Sequence, residues 1–122
     1  MTESNIPLAL IIEDDPDAAD IFAAAVRAAE YETEIIVSGS KALDRLAEVE
    51  PSLVILDLHL PQVGGEDILK YIRSESRLEK TRVIIASADP RTADMLYGKA
   101  TLVLIKPISF TQLRNLVNRL GK

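Results

Sequence analysis

Apolar and polar positions alternate in blocks along the chain, and each block has its own period. Residues Leu8–Ile12 form a continuous apolar run that stops at Glu13, Asp14 and Asp15. A run this short, rich in Leu and Ile, predicts a strand buried on both faces. Pro16 suits the first turn of a helix with Asp15 as its cap. Ile21, Phe22, Ala25, Val26 and Ala29 then recur at helical spacing to about residue 30. Positions 31–37 alternate with period two. Tyr31, Thr33, Ile35 and Val37 fall on one face and Glu32 and Glu34 on the other, which predicts an edge strand. Ser38, Gly39 and Ser40 predict a turn. Ala42, Leu43, Leu46 and Ala47 mark a short helix ended by Pro51.

The second half repeats the scheme. The run 53–56 reads LVIL, ends on Asp57, and lies between Pro51 and Pro61. A loop over 58–65 follows, with Gly64 and Gly65 supplying backbone freedom. Ile68, Leu69 and Ile72 mark a third helix through about Ser74, and 77–80 is a polar connection. The run 83–86 predicts another buried strand, ending at Ser87. Pro90 opens a fourth helix through about Tyr97, with a stripe of Ala93, Leu96 and Tyr97. Leu102–Ile105 is the last strand, ending at Lys106 and Pro107. Ser109 caps a final helix with the stripe Phe110, Leu113, Leu116, Val117 and Leu120. Five strands alternating with five helices predict an α/β fold, a parallel sheet between two helical layers. With the second strand at an edge, the pattern fits the flavodoxin-like, doubly wound order 2-1-3-4-5.

Composition narrows the class. The 122 residues make one domain of ordinary size, spanning 1–122, and leave no room for a second, so any output is exerted through partners. Hydrophobic residues at 48% and charged residues at 27% are a globular balance rather than a disordered one. A net charge of −5, with no basic stripe, speaks against direct nucleic-acid binding. There is no cysteine, which excludes disulfides and thiolate chemistry. The first apolar run has no basic segment before it and soon meets Glu13, so neither a signal peptide nor a membrane span is expected. The expected location is the cytoplasm.

In a parallel sheet all strands end at one edge, and ligands bind there near the point where strand order reverses. The first strand brings Glu13 and Asp14 to that edge, the third Asp57, the fourth Ser87 and the fifth Lys106. Each residue alone has an ordinary structural reading. Acids at a helix start favour its dipole, serine is common in loops, and a lysine before proline is usually solvated. Placed together they have a chemistry. Clustered carboxylates raise each other's proton affinity, and a hard divalent cation such as Mg²⁺ relieves the repulsion. Lys106 and Ser87 would neutralise and hydrogen-bond the oxygens of a phosphoryl group. Asp57, ending the central strand, is the natural nucleophile for an aspartyl phosphate. His59 is the only histidine, and its side chain is given no catalytic role.

These residues resemble the receiver domain of two-component response regulators over nearly the whole chain. LIIEDDP is similar to that family's acidic pair after the first strand, and VILDLHLP to its phosphoacceptor strand. IIASA is similar to its Ser/Thr strand and LIKP to its Lys-Pro signature. The ordered set of four carries the resemblance. It implies Asp57 as phosphoacceptor and Mg²⁺ held by Glu13, Asp14, Asp57 and the backbone carbonyl of His59. Asp14 would be the more direct ligand, Glu13 would act partly through water, and Asp15 corresponds to a variable neighbour. It further implies Ser87 as switch hydroxyl, Lys106 as the phosphate-contacting lysine, and a cis Lys106-Pro107 bond. The implied donor is a sensor histidine kinase or a histidine phosphotransfer protein. The implied readout is a downstream protein bound through the face of the fourth helix, fifth strand and fifth helix. Such a chain is a signalling switch in a phosphorelay, not a turnover enzyme, apart from its own phosphorylation and dephosphorylation.

Three departures bear on readout. Val103 occupies the position where the family usually carries Tyr or Phe, and Tyr97 is no obvious substitute. Gly64 stands where an acid often precedes the loop glycine, and 98–106 departs from the usual glycine-alanine pattern. Val103 supports an alternative, a non-switching receiver serving as a constitutive interaction module; the intact acid, hydroxyl and lysine set opposes it. A phosphatase with an aspartyl-phosphate intermediate would need a further acid–base residue and a specificity insertion, and the loops are short. A flavin site would need a phosphate-cradling loop after the first strand, which is absent.

Overall fold

A computed structural model of the chain describes residues 6–96 and 98–121, excluding the side chain of Ala93. Five strands, β1 (Leu8–Ile12), β2 (Glu32–Ile36), β3 (Leu53–Asp57), β4 (Arg82–Ser87) and β5 (Leu102–Ile105), pair in parallel in the order β2-β1-β3-β4-β5. Helices α1 (Pro16–Ala28), α2 (Gly39–Leu46), α3 (Gly65–Ser74), α4 (Thr92–Met95) and α5 (Phe110–Leu120) fill the crossovers, with one 3-10 turn at Ser76–Leu78. The flavodoxin-like order expected from the sequence is the observed one.

The continuous apolar runs are explained by the two layers. Along β1, Ala9 and Ile11 pack with Phe22 and Val26 of α1, while Leu10 and Ile12 pack with Leu46 of α2 and Ile68 of α3. Strands β3 and β4 divide their residues in the same way, so on the central strands only the first residues of β1 and β4, Leu8 and Arg82, are less than fully buried. Removing Phe22, almost wholly buried, would cost about 3–5 kcal/mol. Side-chain caps hold three helix starts: Asp15 accepts from the Ala18 amide, Ser38 from Lys41 and Ser109 from Gln112.

Four local expectations are corrected. β2 is the edge strand expected, but its apolar alternating face is buried only at Tyr31: Ile35 and Val37 are exposed, whereas Ile36 on the other face is buried. Glu34 shares the Ile36 side of the strand and pairs with Arg45 of α2 at 2.8 Å, so that side is half ionic. Ser38, Gly39 and Ser40 are not a free turn, because Ser38 caps α2 and the other two begin it. Helix α4 starts two residues after Pro90 and is a single turn ending at Met95; Leu96 is buried beneath it. Tyr97, placed on that stripe, lies outside the described residues. Gly64 and Gly65 have no left-handed backbone. Gly65 is required for space instead, since a Cβ there would stand 2.5 Å from the Asp57 carbonyl oxygen.

Candidate functional site

The site is built where the strands stop. Ile12 pairs with Leu56, so the next positions along β1 and β3, Glu13 and Asp57, come side by side. Asp57 pairs with Ala86 and Ser87 with Ile105, and the Lys106 amide donates to the Ser87 carbonyl at 2.7 Å. One rim therefore receives Glu13, Asp14, Asp57, Ser87 and Lys106, as the strand endings predict. The Lys106-Pro107 peptide is cis, as the resemblance implies.

Lys106 is the centre of the charge arrangement. Its ammonium donates to Glu13 Oε1 at 2.9 Å and lies 3.6 Å from Asp57 Oδ1. Glu13 and Asp57 are almost entirely buried (1% and 3% exposed), so the two carboxylates and the cation meet with little water between them. Burial pushes the Glu13 carboxyl above the usual carboxylate range. The Lys106 hydrogen bond opposes that push and the neighbouring Asp57 charge adds to it. Burial lowers the Lys106 ammonium, but its hydrogen bond to Glu13 and the charge of Asp57 outweigh it and leave the group above its ordinary value. Asp14 is exposed, yet Glu13, Asp14 and Asp57 each offer a carboxylate oxygen within 4.8 Å of the others.

The remaining residues frame these three. The His59 amide donates to Asp57 Oδ1 at 3.2 Å, and the Asp15 amide to Glu13 Oε2 at 3.3 Å. The His59 side chain is exposed. Ser87 is fully buried, and its hydroxyl lies 2.9 Å from the hydroxyl of Thr92. Sequence reasoning passed over Thr92. The only signal available was a hydroxyl residue five positions after Ser87, which by itself says nothing of contact.

A hard divalent cation fits this donor set. The ligands on offer are carboxylate oxygens, few in number and close together, and Glu13 and Asp57 are buried with one ammonium between them. The comparison with protein-family models decides the class: the response regulator receiver domain matches residues 9–118.

The chain belongs to the response regulator receiver family. It is 31% identical over 103 residues to the polar-differentiation response regulator DivK of Brucella ovis, covering 82% of this chain and 84% of that protein. It is 33% identical over 89 residues to the DNA-binding response regulator MtrA of Mycolicibacterium smegmatis, covering 73% of this chain. The match spans 38% of MtrA's length. The chemotaxis response regulator CheY4 of Vibrio cholerae has the same fold, with a TM-score of 0.84 at 22% identity over 94% of this chain and 98% of that one. Receiver domains are signalling switches of two-component systems; they bind Mg²⁺ at an acidic pocket and interact with histidine kinases and downstream partners. Among the described residues of this receiver, no helix is long and apolar enough to cross a membrane.

Proposed function

We propose that this receiver is a phosphorylatable switch in a phosphorelay, acting in the cytoplasm, with Asp57 as the acceptor. The observation that carries the reading is the Lys106 ammonium set against both Glu13 and Asp57 in a buried pocket. A carboxylate oxygen of Asp57 attacks the phosphorus of a phosphohistidine on a sensor kinase or phosphotransfer protein. The phosphorus–nitrogen bond breaks, and the imidazole leaves with its electron pair. Lys106 balances negative charge on the phosphoryl oxygens, and the His59 amide holds the acceptor carboxylate in place.

Glu13, Asp14, Asp57 and the His59 carbonyl would hold Mg²⁺, which when bound supplies charge neutralisation for the transferred group. Ser87 then hydrogen-bonds a phosphoryl oxygen, and the change is read on the face of α4, β5 and α5. What supports that face is its exposed apolar side chains, Met95, Ile105 and Phe110, one on each element. The downstream partner is a protein, with no direct contact to nucleic acid and no insertion into a membrane.

The test is intact-protein mass after incubation with acetyl phosphate and Mg²⁺, beside Asp57→Asn and a chelated sample. An adduct that needs both Asp57 and Mg²⁺ is expected. Failure to form it would favour the second reading, a constitutive interaction module. That reading draws on Val103, a half-buried aliphatic residue packed against the core layer beneath α2 and α3, where relatives usually carry an aromatic ring.

A further inference from the structure

The hydroxyl of Ser87 already has partners. Its oxygen accepts from the Asp89 amide at 3.1 Å and shares a hydrogen with Thr92 Oγ1 at 2.9 Å. A serine hydroxyl has one proton and two lone pairs. The amide takes one lone pair. Thr92 takes either the proton or the other lone pair; where it takes the proton, Ser87 has none left to give a phosphoryl oxygen until it releases Thr92. Both hydroxyls are buried, so neither finds water when the other leaves.

Thr92 is also bound into α4. Its amide donates to the Asp89 carbonyl and its own carbonyl accepts from the Leu96 amide, both at 3.0 Å. The helix is one turn long, and no side chain caps its start. A device joining the Ser87 hydroxyl to this one-turn helix is therefore present in a single contact.

We infer that Thr92 is a positioning residue: its hydroxyl holds Ser87 against α4 in the resting receiver, and Ser87 exchanges it for a phosphoryl oxygen on activation. The inference rests on the proposed role of Ser87 beside Asp57. The Ser87–Thr92 bond belongs to the resting state alone, so deleting it favours the activated state. A typical net hydrogen bond shifts such an equilibrium about 2- to 12-fold.

The experiment is a beryllofluoride titration in excess Mg²⁺, followed by amide resonances of β4 and α4, on the native protein, Asp57→Asn, Thr92→Val and Thr92→Ser. Thr92→Val should bind about 2- to 12-fold more tightly than native, and Thr92→Ser should match native. A purely structural role for Thr92 would weaken binding or leave it alone, and either result overturns the inference. Thr92→Ala serves in its place should the valine variant fail to fold. In a Ser87→Ala background Thr92→Val should change nothing, and a gain there would show that Thr92 acts without Ser87. A native protein that titrates no differently from Asp57→Asn overturns the proposed function itself, and this inference with it.

Discussion

The two ends of the sheet use polar residues for opposite purposes. At the amino end, cations and hydroxyls meet carbonyl dipoles. Thr81 Oγ1 donates to the Pro51 carbonyl at 2.7 Å, and Tyr31 donates to Gly121 at 3.1 Å. Arg77 donates to the carbonyls of Leu46 and Val49 past the end of α2, and Arg82 to Leu120 and Gly121 at the end of α5. The bonds to Leu46 and Leu120 satisfy carbonyls at the last residues of α2 and α5, which those helices leave free. At the carboxyl end, charge meets charge: Glu13, Lys106 and Asp57 hold one another with Glu13 under strain from its own burial. A site closed by dipoles is at rest, whereas a cluster of buried charges responds to any ion or anion added to it. Size is no guide to which end reacts. A cleft of about 510 Å³ lies among Tyr31, Arg77, Thr81 and Arg82, far along the strands from the acids.

Substitutions separate the two ends, and the largest effect belongs to the acceptor. Asp57→Asn should abolish the phosphate adduct seen by intact mass while leaving the urea midpoint at least at its native value, because it removes a carboxylate repelled by Glu13. Lys106→Ala should retain Mg²⁺ binding by calorimetry. It should slow phosphoryl uptake by about 100-fold and abolish the phosphate-dependent change in partner affinity.

Thr81→Val is the converse experiment at the amino end. It leaves the buried Pro51 carbonyl without its donor and should cost about 1–3 kcal/mol in denaturant unfolding, with phosphoryl uptake unchanged. The smallest effect is one of pH. Glu13 binds its proton more tightly folded than unfolded, so its contribution to stability is present at low pH and is lost as pH rises through its raised folded value. Glu13→Gln lacks that loss. Its stability relative to native, measured in chelator, should therefore improve as pH rises above the ordinary carboxylate range.

What was legible in the sequence followed from burial. The runs before Glu13, Asp57, Ser87 and Lys106 must be interior strands, and parallel strands end together, so both the fold and the five-residue rim could be read without coordinates. The face of β2 could not. Its apolar alternation suggests Ile35 faces inward, and only the pairing of Glu34 with Arg45 shows why the opposite side does. Helix α4 was over-extended because Pro90 announces a helix start without fixing the residue. The carbonyl contacts of Arg77 and Arg82 and the Thr92 hydroxyl were invisible for another reason. They join positions whose spacing in the chain carries no period, and any cation or hydroxyl in a loop looks the same on paper.

The two tight glycines give the domain a direction in which it can yield. A Cβ on Gly39 would stand 2.0 Å from the Val63 carbonyl oxygen, as one on Gly65 would crowd Asp57 and Leu58. The starts of α2 and α3 are thus seated backbone to backbone on the loop that leaves the acceptor strand, with no slack between them. That side of the molecule is ground, and α4, a single uncapped turn on the other side of the pocket, is the lever. Under the proposed function, a phosphoryl group added at Asp57 would find no give behind it and would be accommodated on the α4 side.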